Sequence, residues 1–455
     1  MTNYTSTLKF DELDADILLL IFDFCSLNDV VALKRVCHYL NCVINDSYLV
    51  FRKSKRVLVS NQSTKSVLNR SYAVLNPAEK CRISKNWING SYKETVYRFK
   101  NKYMPWLVLH RDVLWLSQKN TITAYPRTKS GIDFKNPTVS LSIEATSGAD
   151  VSRFDLNSSI LICGDRDDGI WGFDPSNGKR LFSKRHAHMS DVSAVALCGN
   201  LIVSSSKDGV AKLWKISDDR TNCTEISKKF MFSRIWCTAV NPINNLVCCG
   251  VARSPSNPLS ISIFDFNTKK EHTIYADKGD YQGVVLDVVW ETPSTVLTCG
   301  SSSCVKLYDL RCNKVVLTWS DPFDTAGYCL ATDNSYSVLC GVAMHNRIQL
   351  YDKRTCSSVQ SFYCNQKMSS PVYSTNFDAT HLFSILDSSL CIMDFKGYNN
   401  VSKNYSQFYN WIQVKMELKM SVFRSVTNFN EFFIKCFPIR FCCYQLSNNQ
   451  QFVIL

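Results

Sequence analysis

The stretch "VLTCGSSSCVKLYDLRC" (residues 296–312) alternates apolar and polar side chains, breaks at a run of small residues, and then alternates again. A period of two is that of a strand with one buried face, and Gly, Ser, Asp or Asn between two such runs marks a turn. Variants return as "LICGDRDDGIWGFDPSNGK" (161–179), "LIVSSSKDGVAKLWKI" (201–216), "VLCGVAMHNRIQLYDKRT" (338–355) and "LFSILDSSLCIMDFKG" (382–397), with half-phrases at 116–128 and 259–270. Their closing positions are Tyr125, Phe173, Trp214, Phe264, Tyr308, Tyr351 and Met393, and from Phe173 onward these lie 41, 50, 44, 43 and 42 residues apart. One four-stranded unit of that length cannot cover both its faces, so such units stack on one another, and seven suit a closed ring. The 50-residue interval has a local cause: "GVARSPSNPLS" (250–260), with two prolines, predicts an enlarged loop between two strands of one unit.

Residues 8–51 follow another period. Leu13, Ile17, Leu18, Ile21 and Phe22 fall on one helical face, and Val30, Leu33, Val36, Cys37 and Leu40 repeat at three and four residues. Leu27 sits in the bend between the two sets, with Asn28-Asp29 as the expected N-cap of the second. Below about 40 residues a domain usually needs a partner or a staple, so this helix pair predicts a second polypeptide that covers its apolar face.

Both parts resemble known families. "HAHMSDVSAVALCGNLIVSSSKDGVAKLWK" (186–215) resembles a WD repeat almost position for position, which implies that His188, Ser204, Asp208 and Trp214 form a structural hydrogen-bonded set. Tyr308 and Tyr351 stand where that family has Trp, so their units rely more on packing. The front segment is similar to an F-box, in Leu13, Asp16, Ile17-Leu18, Ile21-Phe22, Leu27 and Val36-Cys37. It departs from the pattern at Asp14, where proline is usual, which leaves the helix start to a carboxylate. Between the two, Cys81, Trp87 and Gly90 are similar to the stretch that joins these modules in F-box/WD-repeat proteins. The expected fold is therefore an N-terminal all-α F-box (8–51), a connector (52–102), an all-β seven-bladed WD40 propeller (103–397), and an atypical extension (398–455) without a blade phrase.

The resemblance implies a substrate-recognition adaptor of a Skp1-cullin-F-box ubiquitin ligase, without catalysis or cofactor of its own. Leu13, Ile17, Leu18, Ile21, Phe22, Leu27, Val30, Leu33 and Val36 would be the Skp1-facing or F-box-core set. Lys207, Arg253 and Arg347, in or beside inter-strand loops, are the candidate contacts to an unknown protein substrate. The alternative is a WD40 scaffold that acts without a ligase.

Composition narrows this picture in three ways. The 21 cysteines contain no C-x-x-C pair, so no zinc or redox motif is expected and buried free thiols are. The net charge of +13 is concentrated in residues 51–102, with 13 Lys/Arg against 2 Asp/Glu, whereas residues 103–399 carry 30 against 28. A basic run of this kind is ordinarily a solvated face and does not by itself point to nucleic acid. No apolar run long enough to span a membrane occurs, and acids occupy the place of a signal's basic region, so a soluble cytoplasmic or nuclear protein is expected.

Overall fold

Seven antiparallel sheets follow one another around a central axis, the inner strands of blades 2 to 7 packed each against the next, that of blade 7 against that of blade 1, and that of blade 2 against the second strand of blade 1. The computed structural model describes residues 10–398 apart from 129–130, 145–148, 232, 242, 253–259, 269 and 273–282. The inner strands of blades 1 to 7 are Leu107–Leu109, Val151–Leu156, Val192–Cys198, Ile235–Val240, Val285–Thr292, Gly327–Thr332 and Ser374–Phe377. Second strands such as Thr295–Gly300 and Ser337–Val342 are buried at every position, which explains their continuous runs of small and apolar residues. Outer strands such as Lys314–Ser320 alternate, because one side meets water.

The small residues of the repeated phrase are required by the stacking. A Cβ on Gly300 would lie 1.9 Å from the carbonyl oxygen of Val284, so only glycine lets that backbone pass. Gly209 holds φ +81 in the turn between the second and third strands of blade 3, a conformation that L side chains resist. The predicted enlarged loop joins the second and third strands of blade 4, Leu246–Val251 and Ile261–Asp265; residues 253–259 within it are outside the described residues.

Blade 7 is closed by a distant piece of chain. Its outermost strand is Lys93–Arg98, which pairs antiparallel with Ser389–Asp394 in a register running from Lys93↔Asp394 to Arg98↔Ser389. The basic stretch 52–102 is thus no free connector, since it supplies a strand to the ring.

Among the described residues a short 3-10 turn (Phe10–Glu12) and six α-helices precede that strand: α1 (Ala15–Phe24), α2 (Leu27–Leu33), α3 (His38–Asp46), α4 (Leu49–Lys55), α5 (Lys65–Arg70) and α6 (Pro77–Asn89). The N-cap of α2 is Ser26, not Asn28-Asp29. Asp29 instead occupies the third helical position of a capping box, its amide donating to Ser26 Oγ and its carboxylate accepting from the Ser26 amide. Asp14 caps α1 through its backbone position only and makes no side-chain cap bond. A second capping box, Asn76 with Glu79, starts α6, and Gly90 ends it in the left-handed conformation.

Candidate functional site

Leu18, Phe22, Val30, Leu40, Ile44 and Leu49 form the sealed centre of the helical head, with Leu13 and Leu33 half-buried against it. On the same first helix, Ile17 (47% exposed), Leu20 (65%), Ile21 (37%) and Phe24 (93%) recur at three- and four-residue spacing and stay uncovered. Val31 and Val36 are exposed as well. The head is therefore apolar on two sides, one satisfied internally and one not. Contiguous exposed apolar surface of this kind marks an interaction face.

The head is tied to α6 and, through it, to the ring. Lys53 Nζ donates to the carbonyls of Asp23 (3.0 Å) and Cys25 (2.8 Å), closing the C-terminal end of α1, and α4 packs along α6. From there the chain docks on one end of the ring, the end carrying the loops that leave each inner strand. Trp87 is fully buried, stacked on Phe395 at 3.7 Å between ring centres and edge-on to Phe362 and Phe377, and its Nε1–H donates to the carbonyl of Ala379 (3.2 Å). The Asn86 amide donates to Phe395 and Gly397 carbonyls, and Arg70 donates to Asn376 and to the carbonyl of Thr332. Arg127, from blade 1, donates to the Arg70 carbonyl and pairs with the buried Asp378 of blade 7. Burial would raise the Asp378 carboxyl, but His381, the Arg127 charge and the Thr380 amide overrule it and hold it well below the usual carboxylate range.

Among the described residues the helical head does not reach the opposite end of the ring. There the residue near the start of each inner strand points toward the axis, since its neighbours, such as Ile235 and Cys237 around Trp236, are packed between blades. Arg153 of blade 2 crosses the channel to donate to Asp287 Oδ1 (2.7 Å) and the Leu286 carbonyl (2.8 Å) of blade 5, with its guanidinium 4.1 Å from the Trp106 ring centre. Tyr328 and Tyr373 stand edge to face at 5.2 Å, both phenols raised by burial, while the charge of Arg166 acts in the other direction on each.

In blade 3, His188, Ser204, Asp208 and Trp214 come together. His188 Nδ1 lies 3.1 Å from the Asp208 carboxylate and its Nε2 lies 2.8 Å from Ser204 Oγ, which also accepts from Trp214 Nε1–H (2.9 Å). Burial pushes the Asp208 carboxyl up, but the His188 hydrogen bond, the amides of Met189 and Val210 and the His188 charge together bring it down to about 2. A depressed carboxyl stabilises the fold above its unfolded value of roughly 3.9 and stops doing so as pH falls through the folded value. Asp208→Asn is expected to lose ~1–3 kcal/mol near neutrality. In urea titrations across pH, the gap to wild type should close as acid protonates the native carboxylate, at about 2.

Comparison with known proteins fits these parts together. No family model matches the chain. F-box/WD repeat-containing protein 4 of Homo sapiens is 29% identical over 396 residues, covering 84% of this chain and 92% of that protein, and the Mus musculus protein gives 29% over 395 residues, covering 84% and 93%. The chain is a divergent relative of F-box/WD repeat-containing protein 4. Among solved structures it is similar to the WD40 β-propeller domain of Doa1 (TM-score 0.52, 14% identity, 67% of this chain and 96% of that one). It is also similar to a chain of the mitotic checkpoint complex (0.55, 12%, 67% and 94%). At such identities these two likenesses speak for the fold alone.

Of the three predicted substrate contacts, the two that the structure describes, Lys207 and Arg347, are each already paired with a carboxylate. Arg347 is at 0% exposure, its Nη2 bonded to both oxygens of Asp321 (2.7 Å each) and its Nη1 to Gln349 (3.0 Å), so it is a structural ion pair and not a surface contact. Lys207 is already paired with Asp191 at 2.6 Å, with its ammonium 5.6 Å from the Trp236 ring centre. Arg253 lies outside the described residues. In the head set, Ile17, Ile21 and Val36 are open, Leu18, Phe22 and Val30 are internal, and the side chain of Leu27 is outside what the structure describes. Sequence reasoning misses the channel residues, although an aromatic between small or apolar neighbours recurs in "IWC" (235–237), "GYC" (327–329) and "VYS" (372–374). Among the described residues no helix is long and apolar enough to cross a membrane. The described cysteines are free thiols, and burial pushes interior ones such as Cys249, to about 12, away from reactivity.

Proposed function

We propose that this chain is the substrate-receiving adaptor of a ubiquitin ligase of the Skp1-cullin-F-box type, its helical head serving as an F-box and its ring holding the target protein. The observation that carries this reading is the uncovered stripe Ile17, Leu20, Ile21 and Phe24 on a head fixed to one end of the ring. A protein built this way holds two partners at a set separation, which raises the effective concentration of one beside the other without any acid, base or nucleophile of its own. The names of its two relatives support the same assignment.

Co-purification with Skp1 tests it. Ile21→Asp and Phe24→Asp place a carboxylate on the open stripe, where a desolvated charge has no partner, and each is expected to abolish Skp1 retention while leaving thermal unfolding unchanged. Leu18→Asp is a poor probe by comparison, because Leu18 is internal to the head and its loss of Skp1 would follow from unfolding. Retention of Skp1 by a folded Ile21→Asp, Phe24→Asp double variant would remove the stripe from the Skp1 contact, and failure of the wild-type chain to retain Skp1 would favour a scaffold that works without the ligase.

A further inference from the structure

The foot of the helical head holds a cavity of about 230 Å³ lined by Asp23, Arg52, Lys53, Arg56 and Val57. Asp23 belongs to the last turn of α1, Arg52 and Lys53 to the end of α4, and Arg56 is the residue that closes α4. Three cations therefore face one carboxylate. Arg52 reaches Asp23 only through Nη2, at 3.3 Å to one oxygen and 3.4 Å to the other. Lys53 gives two of its three ammonium donors to the carbonyls of Asp23 and Cys25, which neutralises the end of α1 and leaves the third uncommitted. The Arg56 guanidinium has no hydrogen-bond or ion-pair partner among the described residues.

Within residues 51–102 no acid supplies the missing charge. The two acids of that stretch act elsewhere: Glu79 closes the capping box of α6 on the Asn76 amide, and Glu94 accepts from the Asn365 amide and the Cys391 thiol. Lys55 and Lys80 add to the excess, since burial and then the charge of Lys55 lower the Lys80 ammonium. Size and wall chemistry select what can enter. Drug-sized ligands fill pockets of roughly 300 Å³ and upward, so this cavity takes a smaller group. A carboxylate would offer two oxygens to three cations, whereas a phosphate monoester offers three oxygens and close to two charges, which the guanidinium forks match in pairs. The Asp23 carboxylate repels a bare anion but accepts from a hydroxyl, so the phosphate that suits this wall is one carried on a polyol.

We propose that the cavity between α1 and α4 binds the phosphate monoester of a small polyol, the phosphate oxygens accepting from Arg52, Lys53 and Arg56 and a polyol hydroxyl donating to Asp23. The site stands independently of the adaptor reading. Arg354 of blade 6 donates to the Arg56 carbonyl (2.7 Å), so a ligand held there braces the joint between head and ring. The same chemistry occurs on a free polyol phosphate and on the headgroup of a phosphorylated inositol lipid.

Isothermal titration of the full chain with glycerol phosphate, inorganic phosphate and glycerol tests this at low ionic strength, where exposed cations are least screened. Flotation on phosphatidylcholine vesicles with and without phosphatidylinositol phosphate separates a free ligand from a lipid headgroup. Glycerol phosphate is expected to bind about threefold or more tightly than inorganic phosphate, and glycerol alone not to bind. Arg56→Gln should weaken glycerol phosphate about tenfold, whereas Lys314→Gln, on the outer strand of blade 5, should leave it unchanged. Without ligand, Arg56→Gln should unfold at the wild-type temperature, because its guanidinium has no partner to lose. Asp23→Ala removes the hydroxyl acceptor and a negative charge, so it should tighten inorganic phosphate and erase the preference for glycerol phosphate. Retention only on vesicles that carry phosphatidylinositol phosphate, lost in Arg56→Gln, would support the site and assign it to a lipid headgroup. Equal affinity of wild type and Arg56→Gln, tighter binding of an oligoglutamate peptide than of glycerol phosphate, or binding of neither the phosphates nor the vesicles would overturn the proposal.

Discussion

Trp87→Ala is expected to cost ~3–5 kcal/mol in urea unfolding, the range for removing a fully buried large aromatic. That is a large share of the ~5–15 kcal/mol by which a domain is ordinarily stable. The indole stacks on Phe395, meets Phe362 and Phe377 edge-on, and bonds the Ala379 carbonyl, so its removal opens a cavity where α6 meets blades 6 and 7. Trp87→Phe should recover part of the loss by refilling the stack while leaving that carbonyl without its donor. A stronger form of the same result is truncation. A chain starting at residue 103 lacks the outer strand of blade 7 and should be recovered as aggregate, because Ser389–Asp394 then becomes an unpaired edge; one starting at residue 76 keeps α6 and that strand and should be soluble. Equal recovery of the two would contradict closure of the ring by that strand.

The second large effect lies in blade 6. Arg347→Met alone strands the buried Asp321 carboxylate and is expected to cost ~3–5 kcal/mol, and Asp321→Leu alone should cost a similar amount by stranding the guanidinium. The double variant should lose much less than the sum, because two well-packed apolar residues remove the desolvation penalty together with the attraction. A denaturation cycle over the four proteins gives the coupling directly. Additive losses would mean the pair is not the unit the geometry indicates.

Arg347 also shows where sequence reasoning stops. An arginine beside a turn is exposed by default, and nothing within a few residues announces Asp321, 26 positions earlier, as its partner. The blades are legible because each repeats a period of two between small-residue turns, a local signal. The strand Lys93–Arg98 is not, since "KETVYR" looks like any half-exposed strand and its partner is at the far end of the ring. The division of the head is hidden for another reason. The first helix, "ADILLLIFDF", is apolar on nearly every side, so periodicity finds a helix but does not say which side turns inward. Only the placement of Leu40, Ile44 and Leu49 opposite Leu18 and Phe22 decides it. Tyr328 and Tyr373, single aromatics far apart in the chain, look like interior packing, and the stacking of blades 6 and 7 is what brings them edge to face.

Sealing blade 7 with an early strand imposes an order on biosynthesis. Glu94 and Cys391, whose thiol donates to that carboxylate, are 297 residues apart, so at ~5–20 residues per second on the ribosome the first waits ~15–60 s for the second to emerge. During that interval the head, Trp87 and the lone strand travel together with no completed wheel to receive them, which makes nascent chains of this protein clients for chaperones until the last blade is translated.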